Sequence, residues 1–205
     1  MILIIFLLIG LLIGLFVGQQ WIYSKNLGEA LVANRLEQLR GLHVLVNNVT
    51  LPTEDGTTQI DHILLTETGI FIIETKHYSG WIFGDPHNAK WTQVIYKMKN
   101  RFKNPLHQNY LHIKTVQSLF KLPESIYTGI AVFTGSAEFK TKLGPNVLYL
   151  NQLLSFIEQP HEKVLDERQM AYIVGRIEMK RLPRSRETDE YHQNYVRSKI
   201  RRRTH

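Results

Sequence analysis

Asp61, Glu74 and Lys76 are the side chains whose types and spacing are best suited to chemistry. They fall in two apolar runs, Ile60 to Leu65 and Ile70 to Lys76. Between the runs lies Thr66-Glu67-Thr68-Gly69, a sequence that turns one strand back along another. Strand side chains alternate, so Glu74 and Lys76 share a face with Ile70 and Ile72. With Glu67 and Thr68 as a two-residue turn, Thr66 faces Gly69 and Asp61 faces Glu74, with Cβ atoms about 5 Å apart. A bulge at Gly69 would slip that pairing by one residue. Both runs are apolar on both faces, as expected of strands covered on both sides. Facing carboxylates there repel each other and are costly to desolvate, so a positive charge must compensate. Lys76 is one candidate and a divalent cation is the other. Carboxylate oxygens open to water and phosphate suit Mg²⁺, with Mn²⁺ as a substitute, better than Zn²⁺.

The Glu-x-Lys spacing alone carries little, because it occurs at Glu74/Lys76, Glu138/Lys140 and Glu178/Lys180. The second lacks an upstream acid on a neighbouring strand, and the third falls on a helical pattern. Only the first joins an acid across a hairpin to a buried strand. Its bland reading is a structural ion pair near a strand end.

Holding these residues requires a sheet and helices to cover it. Leu27 to Arg40 reads as an amphipathic helix with Leu27, Leu31, Val32, Leu36 and Leu39 on one stripe, closed by Gly41. His43–Val49 reads as a strand ahead of the two chemical ones. Gly80–Gly84 and Trp91–Tyr96 form a shorter second hairpin. Asn104 and Pro105 give an N-cap and a first-turn proline to a helix ending near Phe120. Tyr127–Phe133 and Val147–Leu150 return to strand character, and helical patterns follow at Asn151–Glu158 and Asp166–Lys180. The expectation is an α/β domain over 25–158, a C-terminal helix over 159–180 and a basic tail over 181–205.

Several blocks stand in one order: Gly28-Glu29, Gln59-Ile60-Asp61-His62, Gly69-Ile70-Phe71-Ile72-Ile73-Glu74-Thr75-Lys76, Gly80, Trp91 and Asn104-Pro105-Leu106-x-Gln108. In these the chain resembles the nuclease-related (NERD) domain over roughly residues 25–135, a family placed among the PD-(D/E)XK nucleases. The resemblance implies a restriction-endonuclease-like core, a mixed central sheet flanked by helices, and metal-dependent cleavage of phosphodiester bonds in nucleic acid, DNA first. It implies that Asp61 and Glu74 hold Mg²⁺ and that Lys76 orients water or stabilises developing charge. Glu29 resembles the superfamily's additional acidic ligand; an ordinary acid in a first helical turn is the alternative. Gln108 resembles the family's polar residue on the helix after the active strands. His112, one turn on, is read as part of a solvated helix face. His62 points away from Asp61 on an ideal strand and is read as structural.

Lys97, Lys99, Arg101 and Lys103 alternate ahead of the second helix and could follow a nucleic-acid backbone. A solvated edge strand bearing lysines explains them equally well. Of the net charge of +7, residues 181–205 supply +5, with eight Lys/Arg against three acids, so the basic character is largely a tail property. That tail is expected to be flexible and could touch anionic lipid or nucleic acid.

Met1 to Gly18 carries no charged side chain. Eighteen helical residues span roughly 27 Å, close to the ~30 Å hydrocarbon core. No Lys/Arg precedes the run and no small-x-small cleavage site follows it, which favours a retained anchor over a signal peptide. Lys25 and the basic body put the N-terminus outside and the domain in the cytoplasm. The absence of cysteine excludes disulfides, thiolate metal sites and Cys nucleophiles. No helix-turn-helix, zinc finger or nucleotide-binding glycine loop is visible, so neither base reading nor ATP coupling is supported. The competing function is a catalytically silent, membrane-tethered nucleic-acid-binding module. A homodimer would ease cleavage of two strands.

Overall fold

The structure, a computed structural model, describes residues 25–120 and 122–202. The expected membrane anchor, residues 1–18, lies outside these. Among the described residues no helix is long and apolar enough to cross a membrane.

Helix α1 (residues 25–36) leads into three antiparallel strands, β1 (His43–Thr53), β2 (Gly56–Thr66) and β3 (Gly69–His77). Next come β4 (Gly80–Phe83), β5 (Lys90–Ile95), β6 (Met98–Lys103) and α2 (Pro105–Phe120). The chain continues through β7 (Tyr127–Thr134), β8 (Ala137–Phe139), β9 (Val147–Tyr149), α3 (Leu153–Ile157), α4 (Glu167–Lys180) and α5 (Arg186–Arg202). The main sheet has the order β1-β2-β3-β7-β9, with β7 and β9 parallel to β3; the smaller sheet runs β6-β5-β4-β8. This is the expected mixed α/β fold.

The β2–β3 hairpin has the expected register, from Thr66↔Gly69 to His62↔Ile73. Its side chains divide by parity. Ile63, Leu65, Ile70 and Ile72 pack with Val116 of α2 and with Met170, Ile173 and Ile177 of α4. Leu64, Phe71 and Ile73 pack with Val32 and Leu36 of α1 and with Leu153 and Ile157 of α3. Ile60, Ile63, Ile70, Ile72 and Ile73 have no accessible surface, and each such burial is worth roughly 1.5–3 kcal/mol. That burial offsets the cost of carrying Asp61 and Glu74 in the same two strands.

Three segments differ from expectation. The buried stripe of α1 runs through Gly28, Val32 and Leu36, leaving Leu27 and Leu31 exposed. A Cβ on Gly28 would lie 2.7 Å from His77 Cβ, so only glycine lets α1 approach the end of β3 this closely. The approach to α2 is a third strand, β6, paired along its length with β5. The basic tail, expected to be flexible, is the helix α5, and it packs against β2: Tyr195 covers Gly56, and His192 Nδ1 shares a 2.9 Å hydrogen bond with Thr57 Oγ1.

α2 begins where the sequence places it. Asn104, fully buried, accepts from Leu106 N at 2.9 Å and donates to the carbonyls of Pro86 and Asn88 at 2.9 and 2.8 Å. One side chain therefore caps α2 and ties it to the loop between β4 and β5.

Candidate active site

Asp61 and Glu74 follow the last ladder pair of the β2–β3 hairpin, and the ladder opens at that point. On the other side of β2, pairing with β1 skips from Asn47↔His62 to Val49↔Ile60, leaving Asn48 opposite Asp61 with φ 51°. Freed there, Asp61 turns one carboxylate oxygen onto the backbone: Thr75 N donates to Oδ2 at 2.8 Å. The other oxygen, Oδ1, lies 3.9 Å from Lys25 Nζ. Both carboxylates are buried, Asp61 at 5% and Glu74 at 4% exposure.

Glu74 uses its two oxygens on two partners. Lys76, two residues along the same face, donates to Oε1. His112 Nε2 lies 3.3 Å from Oε2, and His112 Nδ1 lies 2.8 Å from Thr58 Oγ1. A carboxylate only accepts, so Nε2 carries a proton and donates to it. His112 is thus buried against the site, where a solvated helix face was expected.

These contacts drive the two carboxyl groups apart. Burial pushes Asp61 up and the charge of Glu74 adds to it, against the pull of Lys25. Burial also pushes Glu74 up, but Lys76 and His112 outweigh it and hold Glu74 well below the usual carboxylate range. Burial works against the charges of Lys76 and Lys25 as well, and the facing carboxylates more than offset it, so both stay protonated.

Glu29 comes within reach through α1. Its Oε1 is 3.2 Å from Lys25 Nζ, and that buried oxygen accepts no directed hydrogen bond. Lys25 Nζ also sits 3.4 Å from Gln59 Oε1, which accepts from it. Three carboxylates, Asp61, Glu74 and Glu29, therefore meet two lysines, Lys25 and Lys76. Among the described residues no three His, Asp or Glu converge as a closed metal site.

Asp61, Glu74 and Lys76 floor a cleft of about 890 Å³. Lys25, Gln59 and Gln108 also line it, and the smaller sheet supplies Gln93, Arg101, Phe102 and Lys103. Lys97, in the β5–β6 turn, and Lys99, on β6, are exposed but do not line it. His62 lies on the opposite face of β2. Its Nδ1 donates to Asn47 Oδ1 at 2.8 Å and its Nε2 meets Thr75 Oγ1 at 3.2 Å, and burial lowers its pKa to about 4. His62 is a neutral structural residue, as expected.

Lys25 and His192 also line the cleft, and the sequence reading gave neither of them a part in the site. Lys25 carried a usable signal, its i,i+4 spacing to Glu29. His192 carried none, because nothing local says that α5 returns to β2.

The nuclease-related domain matches residues 24–134, which contain every residue named on the floor of the cleft. An uncharacterized protein of Bacillus anthracis is 37% identical over 182 residues, covering 84% of each chain. No solved structure gives a significant match. On this match the chain belongs to the nuclease-related domain family, within the PD-(D/E)XK-like nuclease superfamily.

Proposed function

We propose that this protein is a metal-dependent nuclease that hydrolyses phosphodiester bonds in DNA. The observation that carries this is the Asp61–Glu74 pair. Two buried carboxylates from adjacent strands open into a cleft whose wall bears Arg101 and Lys103. A binding surface for polyanions has no use for two buried acids at its floor.

The donor set fits Mg²⁺. All the candidate donors are carboxylate oxygens, and Mg²⁺ typically takes one or two carboxylates and completes its shell with water and substrate phosphate. Among the described residues no closed set of three protein ligands forms, an arrangement compatible with Mg²⁺. Asp61 and Glu74 would hold it, with Glu29 acting from the second rank. Bound there, Mg²⁺ or Mn²⁺ supplies charge that polarises the scissile phosphate and acidifies water. Lys76, kept cationic by Glu74 and Asp61, neutralises charge developing on the phosphoryl oxygens or orients the attacking water. Gln108, on the cleft wall, offers an amide to a phosphate oxygen. Arg101 and Lys103 hold the backbone of the nucleic acid, with Lys97 and Lys99 extending the basic surface beyond the cleft.

Residues 1–18 are the anchor that places the domain at the cytoplasmic face of a membrane, on the strength of their uncharged apolar run. The basic tail would then contact anionic lipid, and a homodimer would present two clefts to a duplex. A second reading, a silent nucleic-acid-binding module, draws on the pairing of each site lysine with a carboxylate, which leaves the site largely self-neutralised.

The test is cleavage of linear, circular and single-stranded DNA and of RNA by the full chain with Mg²⁺ or Mn²⁺, beside Glu74→Ala and Lys76→Ala. Metal-dependent cleavage of DNA lost in both variants supports the nuclease. Salt-sensitive DNA binding without metal uptake or cleavage transfers the assignment to the binding module.

A further inference from the structure

Lys25 is the first described residue of α1, and its ammonium reaches into the cleft between two acids. Glu29 Oε1 lies 3.2 Å from it, Asp61 Oδ1 3.9 Å and Gln59 Oε1 3.4 Å. Asp61 Oδ1 is the oxygen left free of the backbone, and Glu29 Oε1 has no other polar partner. These are the oxygens through which a divalent ion would bind on the Asp61 side of the site. An ammonium and a divalent ion cannot both occupy that position, because their repulsion is strong in a partly buried place.

The two lysines of the site differ in how they are held. Lys76 pairs with Glu74 and its side chain is only 14% exposed. Lys25 is 36% exposed at the cleft mouth, and it carries four flexible methylenes, so it can withdraw to solvent without disturbing a strand. The close approach of α1 that Gly28 permits brings Lys25 and Glu29 to Asp61 together.

We propose that Lys25 is the resident counter-cation of the metal position, neutralising Asp61 and Glu29 in the metal-free protein and withdrawing its ammonium when a divalent ion enters. Lys25 thereby sets the affinity of the site for metal. This rests on the metal-dependent reading above.

The test is Mn²⁺ binding, read calorimetrically and by the loss of the free-ion spin signal, at fixed ionic strength and without nucleic acid. It uses the full chain and its Lys25→Gln, Lys25→Arg and Glu74→Ala variants. Lys25→Gln should bind Mn²⁺ at least about tenfold more tightly than the parent. Lys25→Arg, which keeps the charge, should show no such gain, and Glu74→Ala should lose binding. Without metal, Lys25→Gln should melt below the parent, and saturating Mn²⁺ should remove the difference. If Lys25→Gln is poorly folded, Lys25→Met replaces it and is read the same way. Unchanged or weaker binding by the neutral variant, with the parent binding and Glu74→Ala blank, overturns the role of Lys25 and leaves metal dependence standing. No Mn²⁺ binding by the parent or by Lys25→Gln, both folded, overturns metal dependence and this role with it.

Discussion

His112 on α2 and Glu74 on β3 meet Nε2 to Oε2 at 3.3 Å, and Thr58 on β2 holds the other ring nitrogen at 2.8 Å. The imidazole thereby locks one helix and two strands around the carboxylate, and it fixes which oxygen of Glu74 remains with Lys76. Replacing His112 with Ala should weaken Mn²⁺ binding by about 10–100-fold, the usual cost of losing an outer partner of a metal ligand. It should also cost about 1–3 kcal/mol by leaving Glu74 Oε2 unsatisfied. Mn²⁺ titration and denaturant melts measure both. Lost stability with full metal affinity would reduce His112 to a structural prop.

Asp61 should behave oppositely to a structural ion pair. In the metal-free protein its charge is opposed by burial and by Glu74. Asp61→Asn keeps an oxygen for Thr75 N and removes the repulsion. The variant should be as stable as the parent or more so without metal, while losing metal-induced stabilisation and cleavage. A thermal melt with and without Mn²⁺ decides it, and a clear loss of metal-free stability would show that the charge is there for the fold.

The hairpin that carries the acids was legible because a two-residue turn fixes register, and alternation then fixes the face of every side chain. Asn104 was legible because capping is local. β6 was obscured by its composition, Met98 to Lys103, in which Phe102 is the sole aromatic and four exposed polar residues give no apolar face. α5 was read as tail because its helix is stabilised by Tyr195 and His192 meeting a strand 130 or more residues earlier, not by an apolar stripe. His112 looked solvated because a polar residue one turn after Gln108 resembles an exposed face. Only the tertiary approach of β3 makes it buried.

Gly28 and Gly175, both on described helices, separate close approach from propensity. Gly28→Ala sets a methyl 2.7 Å from His77 Cβ and 3.0 Å from Thr134 Oγ1, so α1 must move outward. The expected cost is about 1–3 kcal/mol, with cleavage falling further because Lys25 and Glu29 move with the helix. Gly175→Ala on α4 meets nothing within 4 Å and should stabilise by about 0.5–1 kcal/mol with unchanged activity. Denaturant midpoints beside cleavage rates check both, and a harmless Gly28→Ala would refute the close approach.

α5 should detach in acid before the domain unfolds. Burial lowers the pKa of His192 from the ordinary 6.5 to about 4, with Lys25 and Lys103 adding to it and Asp189 opposing. The folded state therefore favours the neutral ring. Its contribution is complete above the unfolded pKa near 6.5 and is lost as pH falls from there toward 4. His62 shares this direction and weakens the whole domain over the same range, so the readout must be local. Hydrogen exchange over residues 186–198 should quicken between pH 7 and 5 more than exchange in β3. Replacement of His192 by Gln should flatten that dependence. Equal quickening in both segments would show that α5 has no separate release.

Lys97, Lys99, Arg101 and Lys103 on the β5–β6 hairpin should divide two and two. Arg101 and Lys103 line the cleft, whereas Lys97 and Lys99 lie outside it. Charges that touch phosphates release counterions, and each contributes close to one unit to the slope of log affinity against log salt. The double replacement Arg101→Ala/Lys103→Ala should therefore lower the slope by about 2 and weaken DNA binding at every sequence alike. Lys97→Ala/Lys99→Ala should change the slope by well under 1 if nucleic acid follows the cleft. The measurement is a fluorescence-anisotropy titration of a labelled oligonucleotide at several salt concentrations with the Glu74→Ala background blocking cleavage. A larger effect from Lys97 and Lys99 would mean that nucleic acid lies along the hairpin tip, and would take Arg101 and Lys103 out of the substrate path.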